Sequence, residues 1–412
     1  MKILKTLIIA GLLNGLATAQ APAQFSSGSD GSYGPLNITN DTTLTVESNG
    51  IYNCTTIYVA TNVTLRFLKN GAAGNFPVHL LATSNVVVDG IVDVSGQNGS
   101  ETSGAGGPGG FDGGEPGIAL LGVAPGDGLG PGGGKQDAGL LSGLTPPQTW
   151  AGSGSFAFLG SAPSVLNLTN ASASTYGNRL VMPLIGGSGG GGGLGSPGRG
   201  GGGGGGAILI ASSTSVTVRG QILARGRSGS GAGYNGVTSH SGNGSGGAVR
   251  IVAPEVVGTG SLDVSGSAYS DDPICRYANG GGAGWIRIDT LNRTQIGFTF
   301  NGMYSIGSFM QVFPSPLARL SIIQAAGTNI VEGQTEPVLI TLPWGSSTNQ
   351  TVTVRARDFV GTVPISVVLT PESGPSSKYD DVISMGSTNV AEKTVSVVMP
   401  VNTLTRIHAW TR

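Results

Sequence analysis

Short apolar runs along this chain are punctuated by glycine at fixed offsets, and three segments repeat one pattern. The first is Leu80-Leu81-Ala82, then Val86-Val87-Val88-Asp89-Gly90, then Ile91-Val92-Asp93-Val94-Ser95-Gly96. The second is Ile208-Leu209-Ile210-Ala211, then Val216-Thr217-Val218-Arg219-Gly220, then Gln221-Ile222-Leu223-Ala224-Arg225-Gly226. The third is Arg250-Ile251-Val252-Ala253, then Val256-Val257, then Gly260-Ser261-Leu262-Asp263-Val264-Ser265-Gly266. Each closes on Gly-x-[Val/Ile/Leu]-x-[Val/Ala]-x-Gly, with the glycines six apart. A degenerate fourth copy runs from Trp285-Ile286-Arg287-Ile288 to Phe298-Thr299-Phe300-Asn301-Gly302. Alternation of apolar and polar residues over such lengths predicts strands, and the glycines predict turns. Three short strands cannot bury their own apolar face, but stacked units can. The pattern therefore predicts a β-solenoid, with Val92, Ile222 and Leu262 in one inner column and Val94, Ala224 and Val264 in the next. Residues 43–67 fit a more amphipathic first coil or cap. An ordinary β-sandwich with coincidental internal similarity is the competing reading.

A glycine-rich insertion follows each clear copy, at roughly 97–206, 227–246 and 267–283. Insertions of this kind leave a solenoid from one face. The first includes residues 189–193 and 200–206, which are all glycine, and apolar pieces at 118–123, 156–159 and 180–185 that point to packing. Two readings of the polyglycine tracts stand side by side: extended polyproline-like helices lying against one another, or disorder. From about 318 the glycine density falls. Alternating strands are expected at 338–342, 351–356, 363–369, 394–399 and 405–410, the spacing of an immunoglobulin-like β-sandwich. The expected organisation is all-β: a leader at 1–19, a glycine-rich, parallel β-helix-like solenoid at 20–316, and a sandwich module at 317–412.

Composition sharpens this picture in two ways. Charged residues make up only 10 % of the chain and glycine contributes 74 residues, yet the apolar fraction is 38 %. Disordered chains are charge-rich and poor in apolar residues, so buried strands joined by glycine-rich turns fit better. A net charge of −1 leaves no electrostatic footprint for nucleic acid. At the N-terminus, Lys2 and Lys5 precede a short apolar run that ends in Ala17-Thr18-Ala19, which reads as a signal peptide cleaved after Ala19, or else after Ala23. No later stretch offers ~18 consecutive apolar residues, so no transmembrane segment is expected in the mature chain. Export would permit a disulfide between Cys54 and Cys275, the two cysteines, although nothing in their spacing dictates the pairing.

Candidate chemistry is sparse. Gly186-Gly187-Ser188-Gly189-Gly190 matches a nucleophile-elbow pattern but sits in a glycine tract rather than on a strand-to-helix turn. Gly130 to Lys135 lacks the first glycine and the hydroxyl of a phosphate loop. His79, His240 and His408 fall in three separate regions without zinc spacing, and no metal or cofactor is expected. One constellation remains. Asp93 and Asp263 hold the same repeat position, with Leu223 between them, and are expected to point outward into solvent. In consecutive coils they would stand roughly 10 Å apart, two strand spacings, near the upper end of the separation in inverting glycosidases. Arg219 and Arg225 lie close by, and Asp89 and Arg219 would face each other across coils.

The tract at 200–206, Ala207-Ile208-Leu209-Ile210-Ala211, the three glycine-bounded copies and Asn178-Arg179-Leu180-Val181-Met182-Pro183-Leu184-Ile185-Gly186-Gly187-Ser188-Gly189 together carry a family likeness. Over about half its length the chain resembles a group of exported bacterial glycine-rich β-solenoid (parallel β-helix-like) repeat proteins. The resemblance implies export and a repeat scaffold, and it transfers no catalytic residue. The expected function is that of a secreted or cell-surface, non-enzymatic matrix protein, an adhesin or carbohydrate-binding scaffold whose partners are polysaccharides or cell-surface components. The alternative is a polysaccharide lyase or glycoside hydrolase using Asp93, Asp263, Arg219 and Arg225.

Overall fold

The computed structural model describes residues 25–47, 49–70, 74–136, 148–160, 174–234, 237–267, 280–313, 318–332 and 338–411; the expected leader and Cys275 lie outside them. The fold is all-β. A curled, all-parallel sheet dominates, accompanied by a second parallel sheet and by separate antiparallel sheets.

The repeat pattern sets the parallel pairing. The long strand Ile51–Val59 pairs through its first half with Val78–Ala82 and through its second half with Val86–Val88, so it opens two columns at once. One column continues through Ala207–Ser212, Ala248–Val252, Trp285–Asp289 and Met303–Gly307. The other continues through Ser215–Val218 and Glu255–Val257. The second sheet runs Thr42–Thr45, Thr64–Leu68, Ile91–Asp93, Gln221–Leu223, Ser261–Asp263 and Thr299–Asn301. Within it Val92 faces Ile222, which faces Leu262 and then Phe300. Both expected inner columns form: all six residues, from Val92 to Val264, are fully buried in one continuous core. The copies are direct neighbours. Among the described residues, the insertion at 97–206 adds no strand to either parallel sheet.

Instead, the glycine tracts in the described parts of the insertions are buried, and backbone hydrogen bonds hold them together. The tract at 200–206 makes the rule visible. Gly200, Gly203 and Gly206 donate to the carbonyls of Ser100, Gln97 and Val94; Gly201 and Gly204 donate to Gly114 and Phe111; Gly202 and Gly205 donate to Gly242 and Ser245. Every third residue turns to the same neighbour, which is the signature of an extended helix with three residues per turn. The same step of three recurs where Gly187, Gly190 and Gly193 donate to Gly205, Gly202 and Arg199, and where Ser241, Gly244 and Gly247 donate to Ser230, Arg227 and Ala224. Extended polyproline-like helices thus lie against one another, and of the two readings above this is the one the described residues follow.

Crowding, not backbone conformation, demands glycine here. No residue of 200–206 has a left-handed φ, yet a Cβ on Gly203 would strike the Ala105 carbonyl, and one on Gly202 the Arg227 carbonyl. The logic matches that of collagen, where only glycine fits at a crowded axis.

At the C-terminal end, two antiparallel sheets face each other over one core. The first contains Arg319–Ala325, Thr328–Asn329, Asn349–Arg357 and Val390–Val398; the second contains Thr362–Pro371, Ser377–Ser384 and Thr405–Thr411. Val352, Val354, Val363, Ile365, Val367, Val395 and Val397 fill the space between them. Four of the five expected strands are present. The fifth is not: residues 338–342 join no ladder, and Pro343 next to them cannot donate to one. Three strands go beyond the expectation, Arg319–Ala325, the two-residue Thr328–Asn329 and the charged Ser377–Ser384. This unit docks on the glycine helices. Gly374 donates to the Pro125 carbonyl at 3.2 Å, and Ser376 donates its amide to Asp127 Oδ2 at 2.8 Å. Trp410 also meets Phe111 edge-on at 6.2 Å.

Gly203→Ala should destabilise the protein by about 1–3 kcal/mol through overpacking. Gly297→Ala, whose Cβ would come no nearer than 3.3 Å to the Gly258 carbonyl oxygen, should stay within about 0.5 kcal/mol of the parent. Paired urea unfolding curves check the contrast, and equal losses would contradict the crowding argument.

Candidate functional site

The acidic pair predicted from the repeats does form a column: Asp93 is in register with Leu223, and Leu223 with Asp263. Its surroundings differ from expectation. Rather than pointing into solvent, Asp93 and Asp263 are buried, at 6 % and 4 % exposure. The chain turns away just after each of them and the glycine helices fold back over the strand ends. Asp93 Oδ1 accepts the Ser95 amide at 2.8 Å, and its Oδ2 lies 3.6 Å from Arg66 and 4.0 Å from Arg227. Asp263 Oδ1 accepts the Ser265 amide at 2.9 Å and hydroxyl at 2.7 Å, while Oδ2 takes Arg225 Nε at 2.8 Å and Nη2 at 2.6 Å. Burial pushes the Asp263 carboxyl up, but the hydrogen bonds from Ser265 and Arg225 outweigh it and hold the group below the usual carboxylate range. Its acceptor positions are occupied, Oδ1 by the turn it closes and Oδ2 by Arg225 and by Asn301 Nδ2 at 3.2 Å from the neighbouring coils. Arg219 and Asp89 pair across coils as expected, with Nε to Oδ1 at 2.8 Å.

Other singled-out residues also resolve into structure. Ser188 is fully buried in the glycine helices, donating to Tyr176 at 2.9 Å and accepting the Gly132 amide at 3.0 Å. Cys54 is a fully buried thiol with no disulfide partner among the described residues, and burial pushes its pKa up to about 11. Among the described residues, no cluster of three or more His, Cys, Asp or Glu could hold a metal ion.

Sequence reasoning did not anticipate the more open site, which lies where the parallel stack ends. The outward column of the larger sheet runs Ile51, His79, Leu209, Arg250, Arg287, Ser305. Residues 309–313 strap across its middle, where Val312 and Phe313 pack on Leu209 and its neighbours. Arg250, 1 % exposed, donates to the carbonyls of Gln311 at 2.7 Å and Val312 at 3.3 Å, and its Nη2 reaches Asp289 at 3.2 Å. Arg287 grips the same carboxylate with Nε at 2.9 Å and Nη2 at 2.6 Å. On the other side, the segment at 174–185 packs Tyr176 and Val181 near Trp285. Between these two covers a groove of about 780 Å³ remains open, lined by Asn178, Arg179, Leu180, Arg287, Tyr304 and Ser305.

Two features give the groove its character. Tyr304 continues the inward column below Ile286, but among the described residues no strand pairs beneath it and it stays 55 % exposed. Its ring stacks on Phe300 at 4.2 Å, tilted by 8°, which makes a fixed aromatic platform. Opposite, Ser305 Oγ donates to the Arg179 carbonyl at 2.6 Å, tying the exposed Arg179 loop to the last strand. The Arg287/Asp289 alternation in the degenerate fourth copy was the one sequence signal for a polar cluster here. Comparison with protein-family models, curated proteins and solved structures finds no match to this chain.

Asp263→Asn should lower stability by roughly 1–3 kcal/mol, the scale of hydrogen bonds to a charged group, as read by urea unfolding; an unchanged midpoint would contradict the turn-closing role. A second expectation concerns pH. Burial pushes the pKa of His79 down from 6.5 to about 4, so the unfolded chain takes up that proton first. The His79 contribution to stability is complete above about pH 6.5 and is lost as the pH drops toward 4, a window it shares with buried His408. His79→Leu should flatten the fall in melting temperature across this window, and an unaltered slope would refute it.

Proposed function

We propose that the protein is exported, its mature chain beginning at Gln20, and acts at the cell surface or in the extracellular matrix as a non-enzymatic, carbohydrate-binding scaffold. In this reading the parallel stack is a β-solenoid body, the glycine helices stiffen it, and the C-terminal sheets form an immunoglobulin-like β-sandwich that works as a spacer or adaptor. The observation that carries the binding role is the Tyr304 ring, exposed and held flat by Phe300 in a groove that also exposes the Arg179 guanidinium. Sugar rings present apolar C–H faces and polar edges, so a fixed aromatic face flanked by donors matches both. The open shape of the groove suits a segment of polysaccharide better than an enclosed small molecule. The resemblance to exported glycine-rich repeat proteins supports the location. Asp93 and Asp263, committed to their own turns, give the hydrolase alternative little support.

Affinity electrophoresis through gels cast with a panel of polysaccharides tests the reading, with release of reducing ends and unsaturated products measured in parallel. Retardation by at least one glycan, weakened about 10-fold or more by Tyr304→Ala with the fold intact by circular dichroism, is the expected result; loss of a stacking platform amounts to ~1.4 kcal/mol or more. Retardation by none, or turnover of any, would overturn it.

A further inference from the structure

The charge around the groove narrows the ligand class. Arg250 and Arg287 share one carboxylate, Asp289, so this buried cluster carries one positive charge in excess. Its remaining contacts are neutral: Arg250 donates to main-chain carbonyls, and Arg287 Nη1 donates to Ser305 Oγ at 3.2 Å. Arg287 reaches the groove floor, so the excess lies directly beneath it. At the lip, Arg179 is exposed and has no ion-pair partner among the described residues. The lining contains two guanidinium groups and no carboxylate. A buried cluster with a net charge is costly unless a counter-charge approaches it, and a guanidinium presents a planar fork suited to carboxylate or sulfate oxygens.

We propose that this groove binds an acidic polysaccharide, with a pyranose ring lying on Tyr304 and its anionic substituent held by Arg179 above the Arg287 floor. The inference rests on the carbohydrate-binding reading and adds the charge of the sugar. Asn178 positions the arginine: its Oδ1 accepts the Leu180 amide at 2.9 Å and its Nδ2 donates to the Met182 carbonyl at 2.6 Å, closing the loop on either side of Arg179. Tyr304 supplies affinity for any pyranose, and Arg179 selects the anion. The two contributions come from segments far apart in sequence, so separate substitutions address them.

The test measures binding of the full mature chain to polygalacturonate and alginate, to a sulfated galactan, and to neutral dextran and galactan, at low and at physiological salt. Acidic glycans should bind about 10-fold or more tighter than neutral ones, the scale of one charge-assisted contact, and added salt should narrow the gap. Arg179→Gln should bring the acidic-to-neutral ratio close to one, Arg179→Lys should restore part of it, and Tyr304→Ala should weaken both classes. The uronate and sulfate arms identify the anion: preference for either over neutral chains supports the proposal. Binding of neutral glycans alone, or a ratio unmoved by Arg179→Gln, overturns this inference and leaves the scaffold reading standing. Binding of no glycan overturns both.

Discussion

The closest approach of one peptide plane to another, at a glycine Cα with no Cβ between them, is the constraint on which the rest of this structure depends. Each repeat copy ends in a glycine that fits against carbonyls of the insertion following that copy: Gly96 against Gly203 and Gly204, Gly226 against Gly244, Gly266 against Gly281. Because the tracts interlock in this way, the insertions form a layer of their own rather than separate loops. That layer lies against the ends of Ile91–Asp93 and Ser261–Asp263, whose aspartates are buried. It also anchors the 174–185 segment, through Tyr176 donating to the Gly186 carbonyl at 2.7 Å, and so defines one lip of the groove.

The parallel stack and the glycine layer hold together by different means. In the stack, apolar side chains from successive coils share one core, and the twofold alternation of the strands sends every second residue outward. Outward residues are then either covered or paired. Where the strap at 309–313 covers them, a guanidinium at 1 % exposure survives only because Asp289 and main-chain carbonyls surround it. In the glycine layer there are almost no side chains to bury, and cohesion comes from amide–carbonyl bonds in three directions.

Much of the stack was legible in the sequence, because a six-residue glycine spacing with alternating apolar positions constrains both register and facing. Val92, Ile222 and Leu262 align as their shared position implies, and Asp89 meets Arg219 across coils. The burial of Asp93 and Asp263 was not legible, since it depends on where the insertions fold and no local pattern encodes that. The glycine tracts themselves were ambiguous for a related reason: without side chains, an extended helix and a disordered linker look alike until their neighbours are known. The groove escaped altogether. Tyr304 occupies an ordinary inward position and is exposed because, among the described residues, no strand pairs beneath it, and Arg179 joins it from 125 residues earlier. At the C-terminal end, 338–342 has the alternation of a strand but is flanked by Pro337 and Pro343, while charged Ser377–Ser384 has the look of a loop yet pairs along its full length with Thr362–Pro371.

A layer cohering through peptide hydrogen bonds has its own relation to temperature. Apolar burial weakens on cooling because exposing apolar surface raises the heat capacity, whereas exposing polar surface lowers it. Among residues 200–206, melting would expose peptide groups and hardly any hydrocarbon, so the heat-capacity increment of this part is small or of opposite sign to that of the valine-lined stack. The two parts therefore respond to cold differently: apolar burial in the stack weakens as the temperature falls, and the peptide hydrogen bonds of the glycine layer escape that loss.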